Sequence, residues 1–343
     1  MIAGVTSKSK IKYIKIGGSL MKIKLGETPI IKIKYIFDGK EKAIFAKLES
    51  YNITGSIKDR VAYYMIEGAY KTGKLKKNME IVEATSGNTG ISLAAMGMYF
   101  KNPVHIFMPD WASKERVNLM KMYNAKVTLV SKQEGGFEAA IRKAKEYAKN
   151  NNAYFPNQFE NENNVLAHYN ITGKEIWNQM GGNIGGFVSG IGTGGTLMGV
   201  AKRLKEKDNN VKIYALEPDK MPLLTKNKVI SNHKIEGIGD DFIPKIVNKD
   251  LIDEVIVIND DDAVNMSRKL AKELGLGVGI SSGANVVASV IAHEKTKKDI
   301  ITVFPDDNKK YMSTDLNKPI DLNSEFISNK IELLGYEFVY SES

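Results

Sequence analysis

Four short stretches of this chain carry residue types that could do chemistry together. The first is Thr54-Gly55-Ser56-Ile57-Lys58-Asp59-Arg60, a lysine placed where a small-residue loop meets the apolar run 61–66. An amine near the positive end of a helix dipole has its protonation disfavoured. A lysine of lowered pKa can condense with a carbonyl to form a Schiff base. Taken alone, Lys58 is one cation among 49 Lys and Arg, most of them solvated surface charges.

The second stretch is Thr85-Ser86-Gly87-Asn88-Thr89-Gly90, between an apolar strand and an apolar helix. Its glycines let backbone approach a ligand, and its hydroxyls with first-turn amides make a donor set for a small anion, phosphate or carboxylate. The bland alternative is a helix cap with a glycine turn. The third, Gly190-Ile191-Gly192-Thr193-Gly194-Gly195-Thr196, contains GxGxxG. That pattern alone is a weak dinucleotide signal. No Walker lysine follows, and Glu206, Asp208 and Glu217 compete for the place of a ribose-binding acid. Its threonines point instead to one terminal phosphate held by Thr193, Thr196 and backbone amides. The fourth is Ile280-Ser281-Ser282-Gly283, which by itself reads as an ordinary N-cap.

The elements that must position these loops follow from periodicity. Residues 30–36 and 42–48 alternate around Asp38-Gly39 as a hairpin. A helix runs from Lys58 to about residue 70. Strand then alternates with helix: 80–83 and a helix to 100, 104–108 and 114–123, 126–130 and 136–149. After a helix around 163–180 a second series follows: 186–189 and 197–205, 211–217, 254–258 with 261–274, then helix 284–293 and strand 300–304. The strands are short, apolar and non-alternating, as in parallel sheets covered on both faces. The fold class is α/β, with two open α/β lobes. Residues 150–164 are Asn-rich and read as a connection between lobes.

Bulk properties narrow the function. A chain of 343 residues with 43% hydrophobic content can bury a large core. No apolar run is long enough for a membrane span. Lys8, Lys10, Lys12, Lys15, Lys22 and Lys24 supply most of the formal charge of +9. The remaining body carries too little net charge to argue for nucleic acid. Residues 1–20 lack a signal-peptide core and Met21 opens a stretch resembling a natural start, so 1–20 is read as an extension or tail. With no cysteine, disulfides, thiolate metal sites and a cysteine nucleophile are excluded. Four scattered histidines without HExxH argue against zinc. The expected place is the cytoplasm.

GSIKDR, TSGNTG, GTGGT, EGIG-x-x-FIP and GISSG occur in this order, and from about residue 26 to residue 314 the chain resembles the cysteine synthase/cystathionine β-synthase family of fold-type II pyridoxal phosphate enzymes. The resemblance implies two open twisted lobes of the tryptophan synthase β type with the pyridoxal 5'-phosphate site in the cleft between them. It implies a larger C-terminal phosphate-binding domain made of residues 21–54 and 165–330, a smaller mobile domain of 55–164, and a homodimer. By the same resemblance Lys58 is the internal aldimine lysine and Asn88 lies beside the ring hydroxyl. Gly192, Thr193, Gly194, Gly195 and Thr196 hold the phosphate, and Ser281 faces the pyridine nitrogen. Thr85, Ser86, Thr89 and Gln158 bind the substrate carboxylate, with Gly237 on the substrate side. A serine at the pyridine nitrogen makes a milder electron sink than an aspartate would. The implied chemistry is β-elimination and β-replacement through an α-aminoacrylate, with Lys58 as base for the α-proton.

The chain departs from cysteine synthases at Asp240-Asp241, where those enzymes usually have Ala-Gly. Cystathionine β-synthases have an aromatic residue followed by Asp there. A carboxylate at this place would repel hydrosulfide and could take a proton from water or a thiol. Asp241, shared with the cystathionine-forming branch, is the first candidate and Asp240 the second. The alternative for both is a solvent-facing turn. Pro305-Asp306-Asp307-Asn308 replaces the usual Pro-Ser-Ser-Gly and makes that wall more acidic. The expected reaction is L-cysteine plus water giving L-serine plus hydrogen sulfide, on a small amino-acid substrate (cysteine, serine or O-acetylserine). The alternatives are an O-acetylserine-dependent cysteine synthase, a cystathionine- or lanthionine-forming enzyme, and a non-catalytic binding protein on the same fold.

Overall fold

The computed structural model describes residues 12–16, 19–23, 25–320 and 323–340, the first two stretches as backbone only. Most of residues 1–20 therefore lie outside the described residues, although β1 (Lys12–Ile16) and β2 (Ser19–Ile23) pair as an antiparallel ribbon. The hairpin β3 (Ile30–Phe37) and β4 (Lys40–Leu48) turns at Asp38-Gly39, both with positive φ. Helix α1 (Lys58–Lys71) follows. Then come β5 (Ile81–Ala84), α2 (Asn88–Phe100), β6 (Val104–Pro109), α3 (Lys114–Met122), β7 (Lys126–Val130) and α4 (Gly136–Asn150).

The predicted helix at 163–180 is split into α5 (Glu162–Ala167) and α6 (Gly173–Gln179) by a π-helical turn, His168–Thr172. The wider turn carries His168 Nδ1 to 3.0 Å from Thr172 Oγ1 and its Nε2 to 3.3 Å from Thr196 Oγ1, which a continuous α-helical pattern does not forecast. Next come β8 (Gly186–Gly190), α7 (Gly195–Lys207), β9 (Lys212–Pro218), the single turn α8 (Leu223–Lys226) and β10 (Glu254–Ile258). The chain closes with α9 (Asp260–Leu274), α10 (Ile280–Thr296), β11 (Ile300–Phe304), the turn α11 (Ile327–Lys330) and β12 (Glu332–Val339).

Two sheets organise these elements. The larger has the order β10-β9-β8-β11-β4-β3-β12, parallel from β10 to β4 and antiparallel through β3 and β12. The smaller is the parallel set β5-β6-β7. Side-chain alternation sends Ile31, Ile33, Ile44 and Leu216 into one core with α9 and α10. It sends Ile30, Phe45, Ile213 and Ile301 into another with α6 and α7. The small sheet is likewise covered on both faces, by α1, α2 and α3 on one and α4 on the other. That double cover is why its strands read as continuous apolar runs rather than alternating ones.

The large sheet grips α1 through buried charge. Arg60 is fully buried and meets Glu49 in a bidentate pair, Nε to Oε2 at 2.7 Å and Nη2 to Oε1 at 2.8 Å. It also donates to Glu175 of α6 at 3.0 and 2.9 Å and to Thr28 Oγ1 at 3.1 Å. Lys47, also fully buried, lies 2.9 Å from Glu175 and donates to the Thr28 carbonyl at 2.8 Å. Burial pushes the Glu49 carboxyl up, but Arg60 and Lys47 outweigh it and hold Glu49 below the usual carboxylate range. A depressed carboxylate gives stability that is present at neutral pH and lost as pH falls through its folded-state pKa.

Removing one partner of a buried pair leaves the others uncompensated, so Arg60→Met should lower unfolding free energy by about 3–5 kcal/mol in denaturant titrations. A loss below about 1 kcal/mol would mean that the network is replaceable by apolar packing.

Candidate active site

Lys58 opens α1, and the loop before it is fixed from several sides. Ile57 N–H donates to the Pro305 carbonyl at 2.8 Å, and Ser56 bridges to Asp306. Lys310 Nζ donates to the Gly55 carbonyl at 2.6 Å; Gly55 has φ +75° with Asp307 and Lys310 close by, so a side chain there would be strained. Asp59, buried, accepts from Thr54 N–H at 2.7 Å, Thr54 Oγ1 at 2.5 Å and Ser92 Oγ at 2.7 Å, tying the loop to α2. Burial lowers the Lys58 pKa, against the pull of Asp240 and Asp306. Burial is therefore the principal cause, where the sequence suggested the helix dipole.

A cleft of about 930 Å³, open mouth included, brings the other loops to Lys58. Thr85, Ser86, Asn88, Thr89 and Gln158 line one side. Thr89 Oγ1 donates to Gln158 Oε1 at 2.6 Å, and Gln158 Nε2 donates to the Ala84 carbonyl at 3.1 Å. Gln158 is held from behind by buried Glu83, which accepts from its backbone N–H at 3.1 Å. Burial pushes Glu83 up to about 8 despite the amides it accepts from.

Gly192, Thr193, Gly194 and Thr196 line the opposite side at the N-terminus of α7. Gly195 opens the helix without lining the cleft; a Cβ on it would lie 1.9 Å from Asn164 Oδ1, so it lets α7 pack. Asn164 also donates to Thr193 Oγ1 at 2.9 Å. Ser281 lies in the first turn of α10, where Gly279 rather than a serine is the N-cap, and it also lines the cleft.

The two acidic candidates separate. Asp240 lines the cleft, half-buried, and its pKa is raised to about 6, first by burial, then by Asp241, with Lys58 pulling it down. Asp241 is exposed and is not among the residues lining the cleft. Gly237, with φ +91°, lines it on the same loop.

Sequence reasoning passed over a set of residues that cross the cleft. Asp306, fully buried, accepts from Asn88 Nδ2 at 2.6 Å and from the Tyr311 hydroxyl through the same oxygen. The Arg116 guanidinium lies 4.4 Å from the centre of the Tyr311 ring, donates to the Ser86 carbonyl at 3.3 Å and pairs with Glu236. No local pattern in α3 distinguishes Arg116 from its solvated neighbours. The acidic wall at Asp306 was visible, but its bond to Asn88 was not.

The donor set fits pyridoxal 5'-phosphate. It offers a half-buried amine of lowered pKa, and a helix N-terminus whose first-turn amides lack intrahelical partners. The Asn88 side-chain oxygen Oδ1 is buried and unpartnered among the described residues. Close backbone approach is built in as well: a Cβ on Gly192 would lie 2.3 Å from the Gly237 carbonyl oxygen.

Comparison with known proteins agrees. The family model "Pyridoxal-phosphate dependent enzyme" matches residues 22–306. A cysteine synthase of Staphylococcus aureus is 41% identical over 295 residues, covering 85% of this chain and 94% of that one. A hydrogen sulfide-producing enzyme from Fusobacterium nucleatum superposes with a TM-score of 0.87 at 50% identity, covering 90% of this chain and 94% of that one. An Asp-to-Asn variant of a hydrogen sulfide-producing enzyme, complexed with an α-aminoacrylate intermediate, superposes with a TM-score of 0.88 at 50% identity, covering 90% and 95%.

Because both atoms of the 2.3 Å approach are anchored near backbone, Gly192→Ala must displace the donor loop. Titration of the apo-protein with pyridoxal phosphate should show affinity reduced roughly tenfold or more, as expected where helix amides hold the phosphate. Unchanged affinity would place the phosphate elsewhere.

Proposed function

Within the cysteine synthase branch of the pyridoxal phosphate-dependent enzymes, to which this chain belongs, we propose that the protein converts L-cysteine and water to L-serine and hydrogen sulfide. The observation that carries this reading is the Asp240 carboxyl, in the cleft and close enough to Lys58 for each to shift the other. Asp240, rather than Asp241, is the residue to which the acid–base role is assigned.

Lys58 would anchor the cofactor, with the α7 loop holding its phosphate, Asn88 facing the ring hydroxyl and Ser281 the ring nitrogen. When bound, the cofactor supplies an electron sink that acidifies the substrate Cα–H and lets the Cβ substituent depart with its electron pair. The chain's own residues do the rest. Thr85, Ser86, Thr89 and Gln158 hold the substrate carboxylate against the N-terminus of α2. The Lys58 amine, its pKa lowered by burial, takes the Cα proton and later returns it.

Asp240 governs which nucleophile reaches Cβ. The Cβ–S bond breaks and sulfur leaves as hydrosulfide, which Asp240 as an anion repels. A water takes its place; its oxygen forms the new bond to Cβ and its proton passes to Asp240. That proton then goes with the departing hydrosulfide or to solvent, so atoms and charge balance. A base titrating near 6 is well matched to this task at neutral pH. The F. nucleatum relative, described as hydrogen sulfide-producing, supports the direction of the reaction. The S. aureus relative keeps O-acetylserine-dependent cysteine synthesis as the second reading.

Serine formation from cysteine should fall about tenfold per pH unit below about 6, as Asp240 becomes protonated. Asp240→Asn should lower it by roughly 100-fold or more and abolish that limb. Asp241→Asn should retain activity and move the limb to lower pH, since the Asp241 charge raises Asp240. Serine formation unchanged in Asp240→Asn would refute the assignment.

A further inference from the structure

The loop that carries Asp240 turns on two glycines. Gly237 and Gly239 both sit at positive φ, and Gly237 is exposed. Its backbone is tied beyond that hinge, where Gly239 N–H donates to the Ile191 carbonyl at 2.8 Å. Ahead of the hinge, Glu236 reaches across the cleft to Arg116 of α3.

Arg116 is a rigid anchor. Its side chain is only 3% exposed, it lies over the Tyr311 ring, and it donates to the Ser86 carbonyl in the carboxylate-binding loop. Its Nε and Nη2 have no partner among the described residues, and Glu236 is the one carboxylate it pairs with there. An exposed ion pair of this length would contribute little. This pair is different because one partner is buried and the contact joins two loops that face one substrate.

We propose that the Arg116–Glu236 ion pair is a positioning device that holds the Asp240 loop in register with the carboxylate-binding loop, and so favours water over thiols as the nucleophile. Arg116 and Glu236 act through Asp240 and Ser86, not on the reacting atoms. Small displacements of a base from its proton are costly in rate. A thiol added at high concentration is a far stronger nucleophile than water and depends less on a base to deliver it.

The inference rests on the role assigned to Asp240, and a double-mutant cycle separates the two. Glu236→Gln, Asp240→Asn and the double variant are prepared as holoenzymes, with folding checked by cofactor absorbance and Tm. Glu236 is partly exposed, which favours folding of its variant. Each is assayed for serine from cysteine, and for the thioether formed with added 2-mercaptoethanol. Glu236→Gln should lower serine formation roughly tenfold, leave thioether formation within about twofold, and have no further effect in the Asp240→Asn background. Glu236→Asp should restore part of the loss. The positioning role is overturned if serine and thioether fall together, or if Glu236→Gln costs the same factor with and without Asp240. If Asp240→Asn alone leaves serine formation intact, the Asp240 assignment fails and the positioning role fails with it.

Discussion

The Arg60–Glu49 pair is the constraint on which the site depends. Lys58 stands two residues before Arg60, so whatever fixes Arg60 fixes the start of α1 and the amine it presents. Glu49 follows directly after β4, Glu175 lies on α6, and Lys47 belongs to β4 itself. One guanidinium with all of its charge buried thus joins the small-sheet side of the chain to the large sheet. A solvated lysine on a mobile loop could not serve as a base of defined position. The cost of burying these charges is offset only because every one has an opposite charge within reach.

Around Lys58 the cleft balances opposing charges. Asp240 and Asp306 favour its protonation, while burial disfavours it more strongly. The same burial lifts Asp240 into the range where it can both accept and release a proton near neutrality. Asp306 performs a different task with the same functional group. With one oxygen committed to Asn88 and Tyr311, it fixes the Asn88 carboxamide in the wall of the cleft. The two cleft aspartates, one half-buried and one fully buried, thus differ in surroundings because their partners differ, which residue type alone could not foretell.

Much of this was legible in the sequence because glycine, hydroxyl and lysine patterns are local. A loop such as GTGGT opening a helix forecasts its own amide donors, and the alternation of strand and helix forecasts parallel sheets. The hairpin at 30–48 was legible too, and the family resemblance put it with the larger domain, but its neighbour β12 was not, a strand that residues 332–339 did not announce. Asp240 and Asp241 illustrate the limit most clearly. They are adjacent and identical, and only the glycine-hinged backbone decides that one lines the cleft and the other faces solvent. Arg116 and Glu236 were illegible for a related reason: their partnership spans 120 residues and exists only across the cleft.

The most direct test of the account is mass spectrometry of the products formed from L-cysteine alone in ¹⁸O-labelled water. The account predicts hydrogen sulfide and L-serine in equal amounts, with one labelled oxygen on the serine hydroxyl. Sulfide accompanied by pyruvate and ammonia, or no turnover of cysteine while O-acetylserine and sulfide give cysteine, would contradict it.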